Sequence, residues 1–178
     1  MKVSIAHNGT WGQSIERLVP YLSSAAIDLK AVPSKLGKVM GIRVSAGEPT
    51  YAQSLKTQAL ISHAGVLLDV RTPIFGDTTL EDMLVLGADI CRTNDLSKTF
   101  WTGRLYKEVE GCDWLVPEVQ KVIEMMQVVS KQLPELWLGM RAKWQAGGMI
   151  YIKDGMIIDR SDGSDLEKTG SGNQDLVL

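Results

Sequence analysis

GKVMGIRVSAGEPTYAQSLKTQALISHAGVLLDV, residues 37–70, is the stretch that decides the predicted fold class. Residues 37–46 carry apolar side chains at every second position, which is typical of a β-strand. Residues 50–62 have helical spacing and end before Gly65, a residue type that commonly closes a helix. The short apolar run 66–70 is typical of a strand buried on both faces. This order predicts a βαβ unit with a right-handed crossover.

The residues before this unit predict one more strand and one more helix. Residues 2–7 alternate polar and apolar side chains, as a strand does. Thr10 and Gln13 have the spacing of a capping box, which begins a helix. Pro20 lies inside the helical stretch that follows, and proline removes a donor and clashes with the preceding turn. We therefore expect a kink, or a break into two short helices, near Val19.

Helices dominate the prediction for the second half of the chain. Thr78 and Glu81 again have capping-box spacing and predict a helix start. The aromatic segment 99–106 predicts a strand. A proline-bounded stretch at 117–134 predicts a helix, and 135–145 predicts a second helix at an angle to it.

The end of the chain carries the strongest short-range signal. Two alternating apolar runs, 149–153 and 156–159, flank Asp154-Gly155, which predicts a β-hairpin. Residues 161–178 are polar and rich in Gly and Ser, and predict a flexible tail. The predicted fold class is α/β (or α+β), with a mixed sheet, βαβ units in the N-terminal half, further helices and a C-terminal hairpin. The globular domain is predicted to span 1–160.

Composition limits the function classes. The chain has 178 residues, 44% of them hydrophobic, and a net charge of -2, which suits one globular domain. No apolar run is long enough to span a bilayer and the first residues lack a secretory pattern, so we expect a cytoplasmic location, or a virion if the protein is viral. Two cysteines and two histidines predict no disulfide framework, no metal site and no cofactor.

The first strand-to-helix turn is one candidate ligand site. It contains His7, Asn8, Gly9 and Thr10, and in α/β folds ligands bind where strands end and helices begin. The turn lacks the lysine of a P-loop and the third glycine of a dinucleotide fingerprint. The alternative interpretation is a capped tight turn with Trp11 packed on the core.

The segment LLDVRTP, residues 67–73, is a second candidate. It resembles the start of a rhodanese domain, in which a strand-end Asp and Arg occur in the same order as Asp69 and Arg71. The resemblance implies a catalytic cysteine in a following loop, and the sequence CRTN at 91–94 echoes that loop. It covers seven residues plus this echo, lacks the Gly-His-Ile segment, and has a short spacing from Asp69 to Cys91. The alternative is a strand-end ion pair, with Cys91 as a small buried apolar residue.

Two further groups of residues predict contacts with partners. Tryptophan and methionine are enriched in protein interfaces as well as in cores. The candidate interface comprises Trp137, Met140 and Trp144 on the predicted helix and the apolar chain end Leu176, Val177 and Leu178. A basic group in the first third of the chain predicts contact with an anionic surface. It comprises Lys30, Lys35, Lys38 and Arg43.

Three function hypotheses remain open at this stage. The leading one is a non-enzymatic structural, assembly or interaction protein of viral, phage or plasmid type, which forms a homo-oligomer or binds another protein through its Trp/Met-rich surface. The second is a small-ligand or nucleotide-binding enzyme that uses the first turn together with Asp69 and Arg71. The third is a peripheral protein that binds an anionic membrane surface through its basic group.

Overall fold

The structure, a computed structural model, describes residues 3–10, 12–141 and 148–160. These residues form seven strands, five α-helices and two short 3-10 turns. In chain order the elements are β1 Val3–His7, α1 Gly12–Leu18, a 3-10 turn Val19–Tyr21, β2 Leu22–Asp28, α2 Pro33–Met40, a 3-10 turn Val44–Ala46, α3 Gly47–His63, β3 Leu67–Ile74, α4 Leu80–Thr93, β4 Thr99–Leu105, α5 Val119–Gln132, β5 Trp137–Arg141, β6 Ile150–Lys153 and β7 Met156–Arg160.

The strands form one mixed sheet in the order of the sequence, from β1 to β7. The strands from β1 to β5 pair in parallel with one another. β6 is antiparallel to β5, and β7 is antiparallel to β6. Right-handed crossovers between strands in sequential order place every helix on the same face of the sheet. The winding is therefore that of a parallel β/α barrel left open, and it confirms the predicted mixed α/β fold with a C-terminal hairpin.

The core lies between the helices and one face of the sheet, here called the helix face. Ile27, Val70, Trp101 and Leu138, from four neighbouring strands, are completely buried there. The Trp101 indole nitrogen donates a 2.9 Å hydrogen bond to Thr72 Oγ1, so this large residue is buried without an unsatisfied donor. The other face, here called the open face, carries the side chains that alternate with these residues.

The βαβ unit predicted at residues 37–70 is present in a different form. The predicted strand at 37–46 is wrong, because this stretch contains α2 and a 3-10 turn. Pro33 occupies the first turn of α2, and Gly41 ends the helix in the left-handed conformation, with φ 65°. The strand that precedes α3 in the sheet is instead β2, a stretch to which the sequence analysis assigned no strand.

The break near Val19 is confirmed, because α1 ends at Leu18 and a 3-10 turn containing Pro20 follows. The element after the break is a strand and not a second helix. The capping box predicted from Thr78 is found one residue later: Thr79 Oγ1 accepts a bond from the Asp82 amide, and Asp82 accepts one from the Thr79 amide. The predicted helix start is therefore correct to within one residue.

The last predicted helix and hairpin had opposite outcomes. Residues 135–145 were predicted as a helix, which is wrong for Trp137–Arg141, since these form β5. The hairpin is confirmed: Asp154 and Gly155 have φ values of 52° and 77°, so both central residues adopt the positive φ of a tight two-residue turn.

The predicted tail, 161–178, lies outside the described residues. None of the helices in the described part of the chain has the length and apolar character that a membrane span needs.

Candidate functional site

The open face of the sheet forms a cavity of about 670 Å³. Alternation along β3 places Asp69 and Arg71 on this face, while Val70 and Thr72 point toward the helices and are buried. Residues from β1 to β6 line the cavity, so it spans most of the sheet. In parallel β/α folds the carboxyl ends of the strands are where ligands bind.

Three arginines lie on the open face, Arg104 and Arg141 near the carboxyl ends of β4 and β5 and Arg71 in the middle of β3. Arg71 is aligned with Asp28 on β2 and with Thr102 on β4. Arg104, two residues further along β4, is aligned with Arg141, the last residue of β5. All three arginines line the same cavity. Because aligned residues in neighbouring strands share a face, their guanidinium groups are gathered on the open face.

The carboxylates near the arginines already have cationic partners. Asp69 Oδ2 accepts a 2.6 Å hydrogen bond from Arg71 Nε, and Asp69 Oδ1 accepts one of 2.6 Å from Thr102 Oγ1. Lys30 Nζ donates to Asp28 Oδ2 at 2.8 Å, just past the end of β2. Asp28 and Asp69 thus each have a basic partner, and Arg104 and Arg141 lie in the same charged cluster.

The pKa of Arg104 is lowered by burial and by the positive charges around it. Burial lowers the pKa of its guanidinium below the ordinary value, and the charges of Arg71 and Arg141 lower it further, against the opposite effect of Asp69 and Asp28. A guanidinium stays protonated even when its pKa falls in this way. The repulsion therefore remains, and an anion bound among the arginines would relieve it.

The other end of the cavity is apolar and aromatic. The Phe100 and Tyr151 rings lie 5.8 Å apart, and Arg141 Nε contacts Met149 Sδ at 3.4 Å. Gly139 on β5 leaves room for this layer, because a Cβ there would lie 2.5 Å from Phe100 and 2.6 Å from the Met149 methyl group. The cavity thus combines a charged end with an apolar end, which suits an amphipathic small molecule.

The first strand-to-helix turn has its polar groups bonded to one another. His7 Nδ1 accepts a 2.9 Å bond from the Gly9 amide, and Asn8 Oδ1 accepts bonds from the amide and hydroxyl of Thr10. His7 is aligned with Ile27 on the helix face, whereas Asp69 is on the open face. The sheet therefore separates His7 from Asp69 and Arg71, which the sequence interpretation had grouped in one site.

Cys91 is also far in the fold from the open face. It lies in the last turn of α4, in the helix layer, while Asp69 and Arg71 lie across the sheet. Burial raises the pKa of the Cys91 thiol to about 11, and the charge of Glu135 and a hydrogen bond to it act in the same direction. A nucleophilic cysteine requires a lowered pKa. The arrangement that the rhodanese resemblance implies is not formed by these residues.

The residues predicted to contact partners do not form one common surface among the residues that the structure describes. Met140 is completely buried on the helix face, and Trp137 lies on β5 with Lys153 Nζ 5.0 Å from its ring centroid. Trp144 and the chain end Leu176, Val177 and Leu178 lie outside the described residues. Of the basic group, Lys30 pairs with Asp28, Lys35 with Asp82, and Lys38 lies over the Trp114 ring. Arg43 is exposed and precedes the second 3-10 turn.

Comparisons with known proteins give a structural likeness but no likeness in sequence. No family model matches the sequence, and no curated protein matches it. Among solved structures, a radical SAM methyltransferase from Sphaerobacter thermophilus matches with a TM-score of 0.59 and 11% identity. The match covers 78% of this chain and 39% of the methyltransferase chain, so the shared region is well under half of that enzyme.

This likeness corrects the leading function hypothesis. The sequence favoured a non-enzymatic structural or assembly protein of viral, phage or plasmid type, and that prediction is wrong, since the chain has a fold that an enzyme uses. The physical reason for the error is that Arg104 and Arg141 of the open face lie in segments without a recognisable motif. At 11% identity the likeness shows the fold alone.

Proposed function

We propose that this chain is a ligand-binding part of an enzyme, and that its open face binds a small molecule carrying a carboxylate or phosphate group. The observation that carries the proposal is that Arg104 and Arg141, near the carboxyl ends of two neighbouring strands, and Arg71, in the middle of β3, line one cavity of about 670 Å³. Guanidinium groups bind carboxylates and phosphates through paired hydrogen bonds, and they tolerate partial burial better than ammonium groups.

We expect Arg104 and Arg141 to bind the anion directly, because they are aligned on neighbouring strands and both line the cavity. Arg71 forms an ion pair with Asp69, which Thr102 also contacts, so we expect Arg71 to contribute charge and to position the floor of the site. The apolar side chains Phe100 and Met149, together with Tyr151, would contact the body of the ligand. Such a division, with few polar anchors and an apolar wall, is general for small-molecule sites.

S-adenosylmethionine is the first ligand to test, because the structural neighbour is described as a radical SAM methyltransferase. Its methionyl carboxylate would meet the arginines, and its adenine would meet the aromatic layer. Radical chemistry in enzymes uses iron–sulfur clusters, which are held by sets of cysteine thiolates. This chain contributes only Cys91, half-buried on α4, and Cys112, exposed in the loop after β4. Its cysteines do not fit such a cluster, so the proposal concerns binding and not radical chemistry.

Calorimetric titration tests the proposal. The probes are S-adenosylmethionine, pyrophosphate and adenosine, the last of which lacks an acid group. We expect saturable binding of at least one anionic probe, and at least tenfold weaker binding when Arg104 or Arg141 is replaced by Ala. A charged hydrogen bond lost in this way costs about 1.5–3 kcal/mol. Arg17→Ala, which removes an exposed arginine on α1, is the matched control and should bind as the parent does.

Two outcomes would contradict the proposal. One is a flat titration with every anionic probe, and the other is binding that survives in the Arg104→Ala/Arg141→Ala double variant. A melting curve of each variant establishes that it is folded before the titration is interpreted. The cytoplasmic location and the association with further copies or other proteins stay predictions.

A further inference from the structure

A second cavity, of about 140 Å³, lies beside the carboxyl end of β3, on the side of the sheet that faces the helices. Val32 and Leu86 form its floor and are almost completely buried. Phe75 and Trp114 form a wall, with ring centroids 4.6 Å apart and planes inclined by 32°. The cavity contains none of the arginines of the open face. It is therefore a separate site, with walls of its own.

The size and walls of this cavity suit one flat ring. An engineered protein cavity of about 150 Å³ with apolar walls binds benzene, so about 140 Å³ accommodates a single six-membered ring and not a fused pair. A flat aromatic ring stacks favourably against other aromatic rings at separations of about 4.5–7 Å between centroids. Phe75 lies between the Tyr106 and Trp114 rings, and Lys38 lies over the Trp114 ring, so the ligand ring would contact the edges of this aromatic group.

Lysines at the rim add a preference for an acid group. Lys38 Nζ lies 4.5 Å from the centroid of the Trp114 ring, and its ammonium keeps hydrogen-bond donors that an aromatic face does not use. Lys35 is 2.5 Å from Asp82, and this carboxylate also closes the start of α4. Asp77 is a second carboxylate at the rim. These two acids disfavour a polyanion, so one negative charge suits the site best.

We propose that this cavity binds a small planar ring carrying one acid group, with the ring beside Trp114 and the acid group on Lys38. The inference is independent of the proposed function of the open face, because the two cavities use different side chains. It also gives part of the basic group predicted from the sequence a local role, because Lys38 recognises a small anion and not an extended surface.

Nuclear magnetic resonance of the indole N–H groups tests the proposal, with benzoate, benzyl alcohol and acetate as probes. Replacing Trp114 with Phe assigns its signal. We expect a saturable shift of this signal with benzoate, affinity at least fivefold weaker with benzyl alcohol, and no saturable shift with acetate. Val39→Phe places a ring in the cavity without removing a charge, and should abolish the benzoate response. Lys38→Met keeps the aliphatic stem and should weaken benzoate at least fivefold.

Two control variants separate the possible outcomes. Lys56→Met removes an exposed lysine on α3 and should leave the response unchanged. Arg141→Ala should also leave it unchanged, which distinguishes this cavity from the open face. A Trp114 signal that benzoate does not move overturns the inference. Equal affinity for benzoate and benzyl alcohol overturns it as well. If Val39→Phe proves unfolded by its melting curve, Lys38→Met decides, and undiminished benzoate affinity in that variant overturns the inference.

Discussion

At the scale of single residues, Cys91 and Cys112 carry the same group in opposite surroundings. Burial, together with the charge of Glu135 and a hydrogen bond to it, raises the pKa of the Cys91 thiol to about 11, whereas Cys112 is exposed. Since the thiolate is the reactive form, we expect a disulfide reagent at about pH 8 to modify Cys112 first and Cys91 slowly. Cys112→Ser should remove the fast phase and Cys91→Ser the slow one. Equal rates for both thiols would contradict this prediction.

The Asp82 carboxyl makes the stability of the folded protein depend on pH. Burial raises the pKa of its carboxyl, but hydrogen bonds from Lys35 and Thr79 outweigh burial and hold the pKa below the usual value. A lowered folded-state pKa contributes stability that is present above the unfolded pKa and is lost as pH falls through the folded one. We expect urea denaturation to show less acid destabilisation below about pH 4 in Asp82→Asn than in the parent, with about 1 kcal/mol lost at neutral pH. Asp77→Asn is the control, and identical pH slopes in Asp82→Asn and the parent would contradict the assignment.

The candidate site shows what residue patterns reveal and what they omit. Asp69 and Arg71 are two residues apart on a strand, so the sequence alone places them on one face, and the ion pair considered for them is present at 2.6 Å. Arg104 and Arg141 were not singled out. Their proximity depends on the register of β4 and β5, and register between strands far apart in sequence is not encoded in either segment alone.

At the scale of elements, two errors in prediction have tertiary causes. β5 has the sequence WLGMR, in which the glycine weakens a strand pattern. The fold requires this glycine, because the Phe100 and Met149 side chains occupy the space that a Cβ at Gly139 would need. At residues 37–46, apolar residues at alternate positions imitated a strand, although α2 ends there at Gly41 and a 3-10 turn follows. The hairpin around Asp154-Gly155 was predictable because its turn chemistry is local.

The packing of α4 on β4 depends on Gly87 in the same way. A Cβ at this position would clash with the Leu133 side chain and approach the Trp101 ring to 2.9 Å. In an exposed helix Gly→Ala stabilises by about 1 kcal/mol, but here we expect Gly87→Ala to destabilise by about 1–3 kcal/mol, as overpacking of a core does. Val85→Ala, at an exposed position of α4, is the matched control and should change stability little. Urea denaturation measures both, and a stabilised Gly87→Ala would contradict this account of the packing.

At the scale of the whole molecule, the winding of the sheet decides where a ligand can bind. A βαβ pattern in the sequence is compatible with a sheet covered on both faces, as in doubly wound folds, or on one face only. The difference lies in the strand order, which is sequential here and leaves the open face uncovered by the five helices. This order is a property of the assembled sheet and not of any one segment. The sequence therefore predicted the class of fold, whereas the candidate ligand site at the first strand-to-helix turn has polar groups that bond one another.

We expect the part of the chain that unfolds cooperatively to end at Arg160. The described core runs from Ile15 to Ile152, with Ile157 on β7 packed against it. A chain that ends after Arg160 keeps all of these contacts, so we expect its melting temperature to stay within about 2 °C of the full chain, since small changes in melting temperature correspond to fractions of a kcal/mol. A chain that ends after Lys153 is the control: it removes β7, leaves β6 without its outer partner and should melt at least about 5 °C lower. A comparable loss in the chain that ends after Arg160 would mean that residues 161–178 belong to the cooperative unit, and the predicted boundary at 160 would be wrong.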